Sequence, residues 1–322
     1  MKKYVVKRIV QMVPVLILVS IFSFMIIHLA PGDPLNMYIR QDMTQQEIDD
    51  LREDLGLDGT VVEQYFAWLR EICRGNFGNS VINHQPVAAQ IFEKLPATIL
   101  LMGTAFLLSL LGSIPLGLWS GMKKNKLADQ VVSVLSYIGI SIPSFWLALM
   151  LIIVFALNLH LLPSNGMRTV GSDSVIDVLQ HLILPSIVLS VGNMAVFTRY
   201  IRSNTISQLE EEYVLTAKAK GVPRRKIMTG HVLKNCLLPV ITLAGMNLAS
   251  LVTGSFIIES VFGWPGMGTL GMSAINSRDY PMIMGFTMLS CVILIIGNFL
   301  ADLLYGVADP RIKQEVKRHR ES

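Results

Sequence analysis

Charged residues are scarce in this sequence, and their scarcity excludes the most. Asp, Glu, Lys and Arg make up 16% of the 322 residues against 52% hydrophobic, an imbalance too large for one soluble domain and expected of a chain whose main solvent is lipid. Cysteine is nearly absent. Cys73, Cys236 and Cys291 lie far apart with no C-x-x-C, which removes both a disulfide framework and a zinc site. The catalytic patterns are missing as well: there is no H-E-x-x-H and no G-x-S-x-G, the six histidines are dispersed, and no G-x-x-x-x-G-K-[ST] is present to bind ATP. A net charge of +4 gives no case for nucleic acid. No repeat of 20–50 residues and no low-complexity segment is evident.

What is present is a series of long apolar runs. They lie at Ile9–Ala30, Pro96–Gly121, Val131–Leu157, Leu182–Tyr200, Leu237–Ile258 and Met282–Tyr305, each long enough to cross roughly 30 Å of hydrocarbon as a helix. The first lacks the small-x-small cleavage site of a signal peptide, so it reads as a retained span. The connections alternate in charge. Lys2, Lys3, Lys7 and Arg8 precede the first run; Lys123, Lys124 and Lys126, then Arg199, Arg202, Lys218, Lys220, Arg224, Arg225 and Lys226, fill two later loops; Arg311, Lys313, Lys317, Arg318 and Arg320 close the chain. The intervening connections are acidic (31–95) or carry only Arg168 or Arg278. By the excess of cations on the cytoplasmic side, both termini are expected inside. The domain organisation is therefore an N-terminal span at 1–30, an extracytoplasmic domain at 31–95, a six-helix all-α membrane core at 96–308 completed by the first span, and a cytoplasmic tail at 309–322.

Within the runs, Pro115 and Pro143 each remove a backbone hydrogen bond and are expected to kink their helices. Ionisable groups avoid the midplane: Arg199, Glu259 and Asp302 fall near span ends. A proton- or sodium-driven carrier needs charge at that depth, so the chain has no energy source of its own. Neutral polar residues are there instead. Asn193, Asn247, Ser250, Thr253 and Asn298 act either as helix-to-helix glue or, for Asn193, Asn247, Ser250 and Thr253, as the wall of a pathway.

The most strongly helix-marked stretch lies between two runs, at 203–236. Ser207 with Glu210 reads as a capping box, Glu210–Glu212 suit the positive end of a helix dipole and Lys218 and Lys220 the negative end, Gly221 is placed to close the helix and Pro223 forbids continuation. Ile206, Leu209, Tyr213, Ala217 and Lys220 recur at helical spacing. Such a helix either lies on lipid headgroups or serves as a handle for a partner. A second marked stretch, 259–282, holds Gly266, Gly268 and Gly271 in a formal G-x-G-x-x-G. Between two spans instead of between strand and helix, that pattern carries no nucleotide meaning.

Residues Glu212, Tyr213, Val214, Thr216, Ala217, Ala219, Lys220 and Gly221 resemble the EAA coupling loop of bacterial ABC-importer permeases in its peptide and nickel version. Against the general EAA pattern the chain departs, with Leu215, Thr216 and Ala217 at the EAA positions and His231, Leu233 and Lys234 where Ile, Leu and Pro are usual. The stretch Glu259, Val261, Phe262, Pro265, Gly266, Gly268, with Arg278, Asp279, Tyr280 and Pro281 after it, is similar to the external re-entrant segment of the same family. Ala30–Pro34, Leu55–Asp58, Leu95–Thr98, Ile142–Trp146, Leu162–Pro163, Leu184–Pro185 and Asp309–Arg311 also resemble it, in family order. The resemblance is to the first permease subunit of dipeptide/oligopeptide importers, with a type I (MetI-like) fold. It implies ATPase coupling through Glu212, Tyr213, Thr216, Ala217, Ala219, Lys220 and Gly221, and an external gate at Glu259, Phe262, Pro265, Gly266, Gly268, Asp279, Tyr280 and Pro281. It further implies a second permease, two cytoplasmic ATPases that hold ATP and Mg, and an extracytoplasmic binding protein. No catalytic, metal or cofactor residue is expected in this chain. Nickel-chelate uptake, or a membrane scaffold recruiting a soluble partner, are the alternatives.

Overall fold

The computed structural model describes residues 2–29, 43–44, 46–47, 59–237, 240 and 250–308; the acidic cluster around Asp49–Asp54, the PGDP segment, Asn247 and the basic tail lie outside the described residues. Among those described, no strand forms, and the one β-bridge is Asn79 with Pro86. The helices are α1 (Lys2–Leu29), α2 (Val61–Cys73), α3 (Val87–Met122), α4 (Leu127–Ser141), α5 (Ser144–Leu151, running into a π-helical Ile152–Asn158) and α6 (Val175–Leu209). They continue with α7 (Glu212–Ala219), α8 (Arg224–Ile227), α9 (Ser250–Thr253), α10 (Phe256–Val261), α11 (Met267–Asn276) and α12 (Tyr280–Ala308). Two compact units contain them: one within Met1–Pro96 and Thr269–Ile296, the other within Ala97–Gly268 and Gly297–Ser322.

By length and composition, α3, α6 and the Tyr280–Phe299 part of α12 are each able to cross a membrane, and α1 contributes the apolar stretch Val10–Met25. Away from Pro96, Pro115 and Pro185, the backbone N–H and C=O groups inside such a helix are satisfied within the segment, which is what hydrocarbon demands. Half of the fifth apolar run, Leu237–Ile258, falls outside the described residues. α3 passes unbroken through Pro96 and Pro115; neither proline ends it.

Pro143 does more than the kink expected of it. Ile142, restricted by the proline after it, is extended (φ −73°, ψ 124°), and Pro143 becomes the N-cap of the next helix. The third apolar run is thus two helices, residues 127–141 and 144–158, bent by 100°.

In the larger unit, α3 and α6 meet along a stripe of small residues. A Cβ on Gly117 would stand 2.6 Å from the Cβ of Ile201, and one on Gly121 2.6 Å from that of Thr205. Small residues four apart let helix backbones approach closely where lipid supplies no hydrophobic drive. Ser109, Ser113 and Ser120 of α3 are wholly buried, and their hydroxyls bond the chain's own carbonyls or a carboxylate. A second apolar layer, Ala148 of α5 with Leu184 and Val188 of α6 and Ile258 and Phe262, packs around α10.

The smaller unit is tied by α2 lying on α1 and by the N-terminus of α12. Asp279 is the cap there: it accepts from the backbone N–H of Met282 (3.2 Å) and of Val81 (3.3 Å) and from the Ser80 hydroxyl. Gly285 of α12 admits Val87, whose Cγ1 would lie 2.5 Å from an added Cβ.

Candidate functional site

The helix expected to begin at Ser207 does not begin there. α6 runs on to Leu209, and the Ser207 hydroxyl donates back to the Ser203 carbonyl within it (3.3 Å); the capping box with Glu210 does not form. The break comes at Glu210 and Glu211. Glu211 is extended (φ −72°, ψ 147°) and stands as N-cap of the eight-residue α7 without a side-chain cap bond.

α7 closes as the sequence implies. Gly221 takes φ +71°, its N–H bonds the Lys218 carbonyl (3.0 Å) and the Val222 N–H bonds the Ala217 carbonyl (3.1 Å), the paired bonds of a Schellman motif. Pro223 then caps α8, whose Arg224, Arg225 and Lys226 are exposed.

Eight residues are too few to hold a helix in water, so packing holds this one. Val214 is fully buried with Ile227, Met228, Val232 and Cys236, and Leu209, Tyr213, Ala217 and Val222 pack around them together with Leu118 and Met122 of α3. The buried residue of α7 is Val214, which lies off the stripe 206, 209, 213, 217, 220; the break at Glu210 shifts the helical phase, and Lys220 of that stripe is exposed. The Tyr213 hydroxyl donates to Gln208 Oε1 (2.7 Å) and accepts from Asn235 Nδ2 (3.2 Å). The opposite face of α7 is open: Glu212, Leu215, Thr216 and Ala219 are exposed, with Leu215 at 54%, and Lys218, Lys220 and Gly221 border them. Of the seven expected coupling residues, Tyr213 and Ala217 therefore face inward, and Glu212, Thr216, Ala219, Lys220 and Gly221 face out.

A clamp that the sequence did not disclose ties the approach to α7. Asp129 of α4 is buried, and its carboxylate accepts from Nε and Nη2 of Arg202 on α6 (Nη2 at 2.8 Å), from the Ser120 hydroxyl of α3 and from the Asn125 N–H (2.9 Å). Three helices are fixed to one carboxylate. The bidentate fork suits arginine's planar donors. A partner 73 positions away in sequence leaves no local pattern to read; the only cue is an acid in the turn after the Lys123–Lys126 run.

The 259–268 stretch has the opposite character. Glu259 on α10 is 0% exposed. Its Oε1 accepts from the Thr98 hydroxyl (3.1 Å) and the Ser255 N–H (3.3 Å), and its Oε2 from the Gly268 N–H (2.7 Å); Thr98 Oγ1 in turn accepts the Met267 N–H (2.7 Å). An added Cβ would come within 2.4 Å of a Glu259 oxygen at both Gly254 and Gly266. Those glycines make room for a carboxylate of the same chain, which occupies the place a phosphate would need. Trp264, also fully buried, donates from Nε1 to the Ala97 carbonyl (2.9 Å), so the Leu95–Thr98 motif acquires a role: Ala97 and Thr98 hold the turn shut. Phe262 is buried and Pro265 exposed. Asp279, Tyr280 and Pro281 belong to the other unit, where Asp279 caps α12 and the other two are half-buried.

Of the residues offered for a pathway, Asn193 on α6 and Thr253 at the end of α9 are half-buried, Ser250 begins α9, and Asn247 lies outside the described residues. A crevice of about 130 Å³ between α3, α4 and α6, walled by Leu116, Val132, Leu135, Val191, Met194 and Thr198 among others, includes none of them.

Among the described residues, the arrangement offers one exposed, anchored helix and one sealed turn. The family model described as "Binding-protein-dependent transport system inner membrane component" matches residues 113–314, and its N-terminal counterpart matches residues 1–102. The oligopeptide transport system permease protein AppB of Bacillus subtilis (strain 168) is 38% identical over 315 residues, 97% of this chain and 100% of that protein. The glutathione transport system permease protein GsiC of Salmonella choleraesuis (strain SC-B67) is 34% identical over 313 residues, 97% and 99% of the two chains. A chain of the MetNI methionine ABC transporter in an inward-facing conformation superposes with a TM-score of 0.53 at 16% identity, over 69% of this chain and 97% of that one, which shows a common fold. The chain belongs to the multi-pass inner-membrane permease components of binding-protein-dependent ABC importers.

Proposed function

We propose that this permease forms, with a second permease subunit, the pathway by which di- or oligopeptides cross the cytoplasmic membrane. Two cytoplasmic ATPases bind ATP and Mg and drive it, and an extracytoplasmic binding protein delivers the cargo. In this reading both termini and the α6–α7–α8 connection are cytoplasmic, and this chain binds no cofactor. The observation that carries the reading is the split character of α7. One face is fastened to α3 and α6 through Val214 and its neighbours, and the other, centred on Leu215, Thr216 and Ala219, is exposed between a carboxylate and a row of cations. A helix so mounted passes a push from a partner into the spans that hold it. Peptide cargo is supported by the oligopeptide and glutathione systems for which the relatives are named; neither relative is named for nickel-chelate uptake or for a scaffold role, and neither alternative is retained.

The test uses the assembled transporter in proteoliposomes. Leu215→Asp places a charge on the exposed face without touching the buried cluster. Recovery of the ATPases with the variant and peptide-stimulated ATP hydrolysis both fall, while peptide binding to the binding protein is unchanged. Full ATPase recovery and full uptake with this variant overturn the docking assignment. Uptake of no labelled di- or oligopeptide by the wild-type assembly overturns the cargo.

A further inference from the structure

The N-terminal unit contains an apolar surface that the importer function does not use. α2 carries its apolar residues on one side, and at 3.6 residues per turn Trp68, Ile72, Tyr65, Leu69, Val62, Cys73 and Phe66 sweep an arc of about 160°. Charge keeps to the other side, with Glu63, Arg70 and Glu71. Among the described residues, one edge of that arc is covered. Tyr65 and Trp68 lie against Phe24 of α1, ring centroids 5.5 and 5.8 Å apart, and the Tyr65 and Ser20 hydroxyls are hydrogen-bonded at 2.8 Å. The other edge is open: Val62 is 63% and Phe66 61% exposed, and Cys73 is exposed beside them.

The depth at which α2 sits identifies what covers it. Ser20 and Phe24 belong to the apolar stretch Val10–Met25 of α1. Ser20 is five residues from the end of that stretch at Met25, about 8 Å along the axis at 1.5 Å per residue. A helix hydrogen-bonded to Ser20 lies below the aqueous boundary of the segment that holds it. The side of α1 turned away from α2 is apolar as well, with Leu18, Phe22 and Met25 exposed. The Tyr65 and Trp68 pair has the composition found at the membrane interface, where an aromatic body is apolar and its polar edge is hydrogen-bonded.

We propose that α2 is an interfacial helix whose Val62, Phe66 and Cys73 edge is inserted among phospholipid acyl chains at the headgroup boundary, with Glu63 and Arg70 turned to water. α1 and α2 together then form a two-helix anchor, gripped by the Ser20–Tyr65 bond. The proposal concerns only how the N-terminal unit meets the bilayer and holds whatever the cargo.

The assembled transporter in phosphatidylcholine–phosphatidylglycerol nanodiscs tests it, in a Cys73→Ser, Cys291→Ala background whose remaining Cys236 is buried. Single cysteines replace Val62, Phe66 or Glu63 and carry an NBD fluorophore. Probes at 62 and 66 are quenched by lipids brominated on the acyl chain and lose quenching by aqueous iodide; the probe at 63 shows the reverse. Iodide quenching at 62 and 66 equal to that at 63 overturns the proposal by showing the edge in water. Protection of 62 and 66 from both quenchers overturns it by showing protein over the edge. Peptide-stimulated ATP hydrolysis by each labelled assembly verifies that the fold is intact.

Discussion

Two buried carboxylates in the same unit are satisfied in different ways. Asp129 takes a guanidinium fork from Arg202, a hydroxyl and one N–H, and joins three long helices. The donors described for Glu259 are two backbone N–H groups and the Thr98 hydroxyl, and they close one tight turn against α3. The difference matches the surroundings of each carboxylate. Seven residues beyond Arg202, α6 ends and the exposed α7 begins, so the clamp steadies the base of a surface that must accept force. Around Glu259 the side chains or backbone of Ile258, Phe262, Trp264, Gly266, Met267 and Gly268 are all buried. A sealed turn resists deformation, and an exposed helix on a fixed base transmits it.

The comparison is broken hardest at Asp129. Its removal leaves a guanidinium in a mostly buried site and costs about 3 kcal/mol, read as a lowered melting temperature of the purified assembly. Arg202→Ala costs a similar amount, and the double variant Asp129→Ala, Arg202→Ala costs clearly less than the sum, because the coupling between the two is lost only once. Additive losses would mean the pair contributes nothing as a pair.

Glu259→Gln comes next. The amide keeps one acceptor and presents an NH₂ where a second acceptor is needed, so it faces either the Gly268 N–H or the Thr98 hydroxyl side with the wrong group, at about 2 kcal/mol for the unmet donor. Gly266→Ala is placed beside it: the new Cβ would sit 2.4 Å from both Glu259 Oε2 and Thr98 Oγ1, an overpacking cost of about 2 kcal/mol. The two substitutions disturb one cradle and are therefore non-additive, measured by thermal unfolding of single and double variants. Independence of the two would separate Gly266 from the carboxylate.

How much of this was legible depends on which interactions are local. The apolar runs within α3, α6 and α12 announce themselves by length alone, and Gly221 with Pro223 two residues on marked the end of α7. Ser207 misled for an instructive reason. The apolar run of α6 stops at the first cations, Arg199 and Arg202, yet the helix continues because Arg202 is neutralised by Asp129 and because Thr205 packs on Gly121 while its hydroxyl bonds the Ile201 carbonyl (2.7 Å). Nothing near Ser207 encodes those contacts. Likewise Leu95–Thr98 was visible only as a resemblance, since its partners Trp264 and Glu259 lie more than 160 residues away.

The smallest effect separates two glycines that a sequence reader would treat alike. At Gly266 the backbone is not left-handed, and space is what excludes a side chain; at Gly221 φ is +71° and an added Cβ meets nothing within 4 Å. Gly221→Ala therefore costs only the left-handed backbone, about 1 kcal/mol, and Gly221→Asn recovers much of it because asparagine tolerates that conformation. Hydrogen exchange of the α7 amides reads the difference directly: faster in the alanine variant, close to wild type in the asparagine variant, with the Trp264 turn unaffected in both. At Gly266 the order of the two replacements reverses, since asparagine is the larger intruder into the cradle. If asparagine rescued both positions, or neither, conformation and space would not be the two separate reasons for these glycines, and the contrast between an exposed closing turn and a sealed one would lose its physical basis.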